Sequence, residues 1–227
     1  MLVDATGRFV SQREEPRLCL VDVALEGGGY TLRTEAGCVW IPERYEGPRV
    51  PVRIWGGAVE ACVHDEGTRL LSSWLGRPVR LVRFWEGATR RTDQGNGEVA
   101  FADGYPYLLA SEASLADLNG RLEGPPLSMD RFRPNLVVEG GRPYQEDRWG
   151  GLRIGGIGFR CVKPCERCVV TTIDPETASK GREPLRTLAS YRRWNGKVWF
   201  GVNLCPDAEG VLRVGDPLSP RQRAAQP

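Results

Sequence analysis

Short runs of apolar and β-branched residues, each cut off by glycine or proline, dominate the first third of the chain. Residues 17–25, 30–34, 38–41, 51–55 and 59–63 read as strands, with breaks such as Gly27-Gly28-Gly29 between them, the pattern of an antiparallel sheet or barrel. The period changes at residues 68–75, where a helix is expected, stopped by Gly76 and Pro78. Residues 78–84 return to a strand. The stretch 86–97 is polar, glycine-bearing and aperiodic, and is the expected linker or mobile loop.

The second half opens with an expected strand at 98–102, followed by Asp103-Gly104-Tyr105-Pro106 and a helix that Ser111 is placed to cap. Leu115, Leu118 and Leu122 recur there at helical spacing before Gly124-Pro125 ends the element. Further strands are expected at 135–139, 152–154, 168–173, 198–204 and 211–214, and a short helix at 184–191 that opens on Pro184. Gly155-Gly156-Ile157-Gly158 neither has the dinucleotide-binding spacing nor leads into a helix, so it reads as a turn between strands. The tail 219–227 is low in hydrophobicity and expected to fray. Many short strands with few helices predict a mostly-β, α+β architecture, not a doubly wound parallel sheet. The expected domains are residues 1–88 and 89–227.

Composition narrows the class without changing the picture. With 227 residues, 41% apolar and 26% charged, the chain is long enough to bury a core that needs no metal or disulfide. No run is long enough for a membrane span, and the first residues lack the features of a secretion signal, so the cytoplasm is the expected compartment. A net charge of +2 with only three lysines makes the basic set almost all arginine, whose planar fork suits phosphate and carboxylate. No basic run with interleaved aromatics tracks a nucleic-acid backbone.

Seven cysteines in a chain of this size fit reduced thiols better than a disulfide framework. Cys19, Cys38, Cys62 and Cys205 sit in or beside apolar runs and read as small hydrophobic filler. Cys161, Cys165 and Cys168 carry more interest, because a thiol followed by Val169-Val170-Thr171-Thr172-Ile173 would stand at the mouth of a strand. Their spacing matches the three-cysteine signature of radical S-adenosylmethionine enzymes, but the position late in the chain and Arg167 before the third cysteine speak against it. Structural zinc wants four ligands, and the only histidine, His64, is about a hundred residues away. A thioredoxin-type pair wants a helix, where this sequence is β-branched. On the residues alone, two readings stand level: one thiol serving a soft metal, with Lys163 and Arg167 supplying positive charge near Cys168, or three packing thiols.

Several separate motifs, in one order, then closely resemble the MOSC domain. They are Asp103-Gly104-Tyr105-Pro106 with the following Ser111-Glu112-Ala113-Ser114-Leu115-Ala116-Asp117-Leu118-Asn119, Arg131-Phe132-Arg133-Pro134-Asn135, the run from Cys165 to Pro175, Pro184-Leu185-Arg186-Thr187-Leu188, and Val214-Gly215-Asp216-Pro217. Arg8-Phe9-Val10-Ser11-Gln12-Arg13-Glu14-Glu15-Pro16-Arg17-Leu18 is similar to the N-terminal β-barrel domain of the branch containing the mitochondrial amidoxime-reducing component and its bacterial relatives. The resemblance implies an incomplete N-terminal β-barrel-like domain at 1–88 and a MOSC β-barrel domain with a few short helices at 89–227. It also implies the molybdenum cofactor, independent of pyridoxal phosphate, with Cys168 as the protein ligand of molybdenum. Glu166 and Arg167 match cofactor contacts, Arg133 matches an arginine that grips the pterin phosphate, and Asn135 lies beside it. Ala102 and Asp103 match a loop at the cofactor edge, and Asn203 takes a place near the metal that relatives fill with tyrosine.

The activity this resemblance implies is removal of oxygen from small N-hydroxylated substrates such as amidoximes, hydroxylamines or N-hydroxylated bases. Electrons would come from a ferredoxin-like or cytochrome b5-type partner, because no iron–sulfur or flavin motif occurs in the chain. Asp103 is a candidate for acid–base work, though a turn aspartate is an equal reading. Relatives begin with a Tyr-Pro-Val-Lys-Ser-like strand and another cofactor-binding arginine that this sequence lacks, so a shortened start, an unpaired sheet edge and a weakened cofactor grip are expected. Two other functional readings stay open: a cofactor or sulfur carrier using a persulfide on Cys168, and an inactive fragment.

Overall fold

The computed structural model describes residues 1–93 and 97–223. The fold is mostly β, with three α-helices among the described residues. Its contacts divide it into two units. The first holds Met1–Arg91 with the excursions Glu98–Asp103 and Asp174–Ser179, and the second holds the remainder.

In the first unit the strands are β1 (Leu2–Val3), β2 (Asp22–Glu26), β3 (Gly29–Thr34), β4 (Gly37–Pro42), β5 (Arg49–Ile54), β6 (Gly57–Val63) and β7 (Arg80–Phe84). They make a four-stranded sheet ordered β1-β7-β6-β5 and a three-stranded meander β2-β3-β4. Val3, Val52, Ala61, Val63 and Val82 fill one core. Helix α1 (Asp65–Leu75) turns Leu71, Trp74 and Leu75 into a second core with Leu32 and Ile41. His64, given no role in the sequence reading, caps this helix: its Nδ1 accepts from Gly67 N at 3.0 Å, which sets the helix start earlier than residue 68.

The second unit contains β8 (Tyr107–Ser111), α2 (Glu112–Gly120), β9 (Leu136–Val138), β10 (Trp149–Ile154), β11 (Ile157–Glu166), α3 (Leu185–Tyr191), β12 (Arg193–Trp194), β13 (Lys197–Pro206) and β14 (Leu218–Gln222). Their sheet runs β14-β10-β11-β13-β8-β9, with β12 paired to β13. All pairs are antiparallel except β8 with β9. Leu109, Trp149, Phe159, Val202 and Leu204 form one core cluster, and Ala110, Leu118, Phe132, Leu188 and Phe200 another. Gly201 in β13 has φ +77°, and a Cβ there would stand 2.6 Å from Leu109 O. Only glycine meets both demands.

Several expected elements took other forms. Residues 17–25 split into a 3-10 turn, Pro16–Leu20, and the shorter β2, since proline lacks the N–H a ladder needs. The strand expected at 98–102 is a single bridge, Arg91 to Glu98, because the Arg90 guanidinium takes the carbonyls of Ala100, Ala102 and Asp103. The ladder strand lies further on, at β8. Residues 169–172 form a 3-10 turn instead of a strand, closed by Thr171 Oγ1 donating to Cys168 O at 2.9 Å and Thr172 Oγ1 to Val169 O at 2.8 Å. Local hydroxyl bonds outweigh β-branched propensity there.

No strand forms at 211–214, and Val214 is fully exposed. The tail expected to fray contributes β14, whose proline sits at a sheet edge, where it is tolerated; residues 224–227 lie outside the described residues. So do 94–96 of the expected linker. Ser111 holds the N-cap position of α2, but its Oγ makes no capping bond and is buried without a partner. None of the seven cysteines is in a disulfide, and Cys38, read as core filler, is exposed.

A buried polar knot ties α2 to the 3-10 turn Gln145–Arg148. Glu146 is fully buried; its Oε1 accepts from Ser114 Oγ at 2.7 Å, and Oε2 has no partner. Burial raises its pKa, offset in part by the Ser114 bond, so the folded state holds this proton to higher pH than the unfolded chain does. The stabilisation is therefore present below the ordinary carboxylate pKa and is lost as pH climbs through the folded value. Glu146→Gln, uncharged and of the same shape, is expected to gain stability relative to the parent as pH rises from about 4 to about 8, read as urea midpoints at each pH; parallel pH profiles would contradict this.

Candidate functional site

The candidate site is assembled where β11 ends and runs into the 3-10 turn Val169–Thr172. Strand β11 pairs with β13 through two irregularities, with Lys163 opposite Asn203 and Glu166 opposite Trp199. Arg167 N then donates to Val198 O at 2.8 Å. The backbone leaves the ladder at Cys168, which is extended (φ −120°, ψ 179°), half-buried and at the N-cap of the turn. The thiol thus stands at the mouth of a 3-10 turn.

Arg167 organises its surroundings. Its Nη2 donates to Phe132 O at 2.6 Å and its Nη1 to Cys165 Sγ at 3.0 Å. The guanidinium lies 5.4 Å from the Phe132 ring, and that ring stacks on Phe200 at 4.0 Å. Arg167 Nε is buried with no acceptor. The positive charge expected beside Cys168 therefore contacts the neighbouring thiol. Lys163 is also directed elsewhere, to Asp93 Oδ2 at 3.2 Å and over the Tyr105 ring at 5.2 Å.

Because Arg167 grips Phe132 O, the 3-10 turn Met129–Phe132 packs against the turn that follows Cys168. Arg133 comes next, exposed and left-handed (φ 52°, ψ 48°), its N–H bonded to Asp130 O at 3.0 Å. A non-glycine residue in that region carries about 1–3 kcal/mol of strain, which persists at binding sites where a particular side chain is needed. Asn135 exchanges two bonds with Leu108: Leu108 N donates to Asn135 Oδ1 at 2.8 Å, and Asn135 N to Leu108 O at 2.9 Å. Asn203 pairs with Leu108 on one side and Lys163 on the other, and its Nδ2 donates to Pro164 O at 3.4 Å. Glu166 is exposed and bound by Lys197 Nζ at 2.5 Å.

The second unit thus brings together Arg133, Asn135, Glu166, Arg167, Cys168 and Asn203 on connected segments. Ala102 and Asp103 belong to the first unit, where both are exposed and Arg90 holds their backbone carbonyls. Sequence reasoning missed Arg90, the Arg167–Cys165 contact and the Lys197–Glu166 pair. The nearest signal was the excess of arginine over lysine.

Among the described residues no three His, Cys, Asp or Glu side chains gather as a metal site. A single half-buried thiol on a fixed turn, an arginine on the adjoining turn and an orphaned buried guanidine N–H fit a different case: a metal that arrives with its remaining soft ligands on an anionic carrier. No described helix is long and apolar enough to cross a membrane. Replacing Arg167 by lysine keeps the charge but loses the fork that spans Phe132 O and Cys165 Sγ; a loss of about 1–3 kcal/mol is expected in urea unfolding, with faster thiol labelling at Cys165. Unchanged stability and labelling would contradict that role.

A family model described as the MOSC domain matches residues 96–219. Mitochondrial amidoxime-reducing component 1 of Homo sapiens is 34% identical over 239 aligned residues, which cover 96% of this chain and 71% of the relative. Mitochondrial amidoxime reducing component 2 of Rattus norvegicus is 37% identical over 243, with the same coverage. Mitochondrial amidoxime-reducing component 1 of Danio rerio is 34% identical over 238, covering 96% of this chain and 72% of the relative.

Proposed function

This chain belongs to the MOSC-domain family, in the branch of the amidoxime-reducing components, and on that premise we propose that it is a molybdenum-cofactor-dependent reductase of N-hydroxylated substrates. The observation that carries the reading is the single thiol of Cys168, fixed at the N-cap of its turn and joined through Arg167 to the turn that presents Arg133.

Each residue has a part in the proposal. Cys168, as thiolate, is the protein's one soft donor to the metal. The Arg133 guanidinium engages the carrier's phosphate through two parallel N–H bonds, which sets where the metal stands. Arg167 aligns the two turns, and its unpaired Nε is available to an acceptor on the bound group. Glu166 and Asn203 flank the thiol segment, and Asn135 locks Leu108 beside Asn203. Ala102 and Asp103 belong to the first unit and keep only the part that the resemblance implies, a cofactor-edge loop in the family with Asp103 as the acid–base candidate. The chemistry the cofactor supplies when bound is two-electron removal of oxygen from nitrogen, with two protons consumed and water released. Electrons come from a separate ferredoxin-like or cytochrome b5-type donor.

Cys168→Ala, produced in a cofactor-competent host, is expected to lose bound molybdenum and reductase activity together while keeping its fold. Molybdenum content and turnover equal to the parent's would overturn the proposal, and a persulfide at Cys168 by mass spectrometry would favour a sulfur carrier. Arg133→Gly separates binding from stability: the left-handed backbone relaxes, so stability should hold or rise by up to about 1 kcal/mol while molybdenum content falls. A variant equally loaded with molybdenum would remove Arg133 from the phosphate grip.

A further inference from the structure

Strands β12 and β13 are joined through Asn195-Gly196, both at positive φ (52° and 73°), the backbone of a tight hairpin turn. Trp194 pairs with Lys197, and Glu166 with Trp199. Directly opposed residues of antiparallel strands share a face, so these four side chains lie on one side of the sheet. The two indoles stack at 5.4 Å with 21° between their planes.

Three further contacts fix the pair. Trp199 Nε1 donates to Trp194 O at 3.0 Å. Buried Arg192 places its guanidinium 4.9 Å from the Trp194 ring. Arg192 is itself held by Asp147 at 2.6 Å and by Trp199 O at 3.3 Å. Even so, Trp194 remains 38% exposed. A large indole locked in place and left open to water is a preorganised apolar surface, and covering it with a flat ring needs little further ordering. Its location gives it a use: Val198, between Lys197 and Trp199, accepts the N–H of Arg167, and Cys168 is the next residue.

We propose that Trp194 and Trp199 form an aromatic platform beside Cys168 that selects N-hydroxylated substrates bearing a flat aromatic ring over aliphatic ones. The substrate's nitrogen and oxygen are left to the cofactor side, and the platform takes the ring. What the platform serves rests on the reductase reading; what it binds rests on the stacked indoles.

The test is calorimetric titration of protein purified from a cofactor-competent host with benzamidoxime and with acetamidoxime, in the parent, Trp194→Ala and Trp194→Phe. Benzamidoxime affinity is expected to fall about tenfold in Trp194→Ala, to be largely retained in Trp194→Phe, and acetamidoxime binding to stay within about twofold throughout. In turnover the KM for benzamidoxime should rise by the same factor with kcat unchanged. Should the alanine variant fail to fold by circular dichroism, Trp194→Leu, apolar but without a flat ring, takes its place. A folded variant that binds benzamidoxime as well as the parent, or a parent with no preference for it over acetamidoxime, overturns the platform. A protein without turnover that still shows the Trp194-dependent preference overturns the reductase reading and leaves the platform standing.

Discussion

The grip of the Arg167 guanidinium on Phe132 O, 2.6 Å away, is the contact on which the arrangement of the site depends. The same side chain reaches Cys165 Sγ, and its own N–H is part of the β13 ladder. Three stretches remote in sequence meet there. Phe132 leads into the left-handed bend of Arg133, Arg167 leads into Cys168, and Val198 leads into the tryptophan pair. The stacked Phe132 and Phe200 rings beneath the guanidinium keep its environment apolar, which strengthens each of its hydrogen bonds. A planar, permanently charged fork holds its donors apart at a fixed spacing, whereas an ammonium offers its three donors from a single point.

In the proposed reading, Cys168 serves a group that brings most of its own coordination. The protein's investment is in position. It accepts backbone strain at Arg133, with Asp130 O closing the turn, and it commits the Asn135 side-chain oxygen to holding Leu108. The two turns then bring Cys168 and Arg133 onto adjoining segments.

Much of the fold was legible because alternating burial leaves a direct trace. The hairpins β3-β4 and β5-β6 lie close to where the apolar runs between glycine breaks placed them. Two of the failures share one cause: side chains that bond to nearby backbone overrode propensity. Thr171 and Thr172 turned a β-branched run into a 3-10 turn, and Arg90 drew the carbonyls of Ala100 and Ala102 out of an expected strand. Strand β14 was missed because an edge strand has no need of an apolar face. For the site, the positions of Cys168, Arg133 and Asn135 came from motif resemblance. The direction of Arg167 toward Cys165, and of Lys163 toward Asp93, depended on rotamers that spacing does not encode.

A Cys168 sulfur bound to molybdenum, as proposed, has a spectroscopic signature. Molybdenum X-ray absorption of the purified protein, compared with Cys168→Ser, counts the sulfurs around the metal. One fewer sulfur is expected in the metal's first shell in the serine variant. A first shell identical in the two proteins would contradict it.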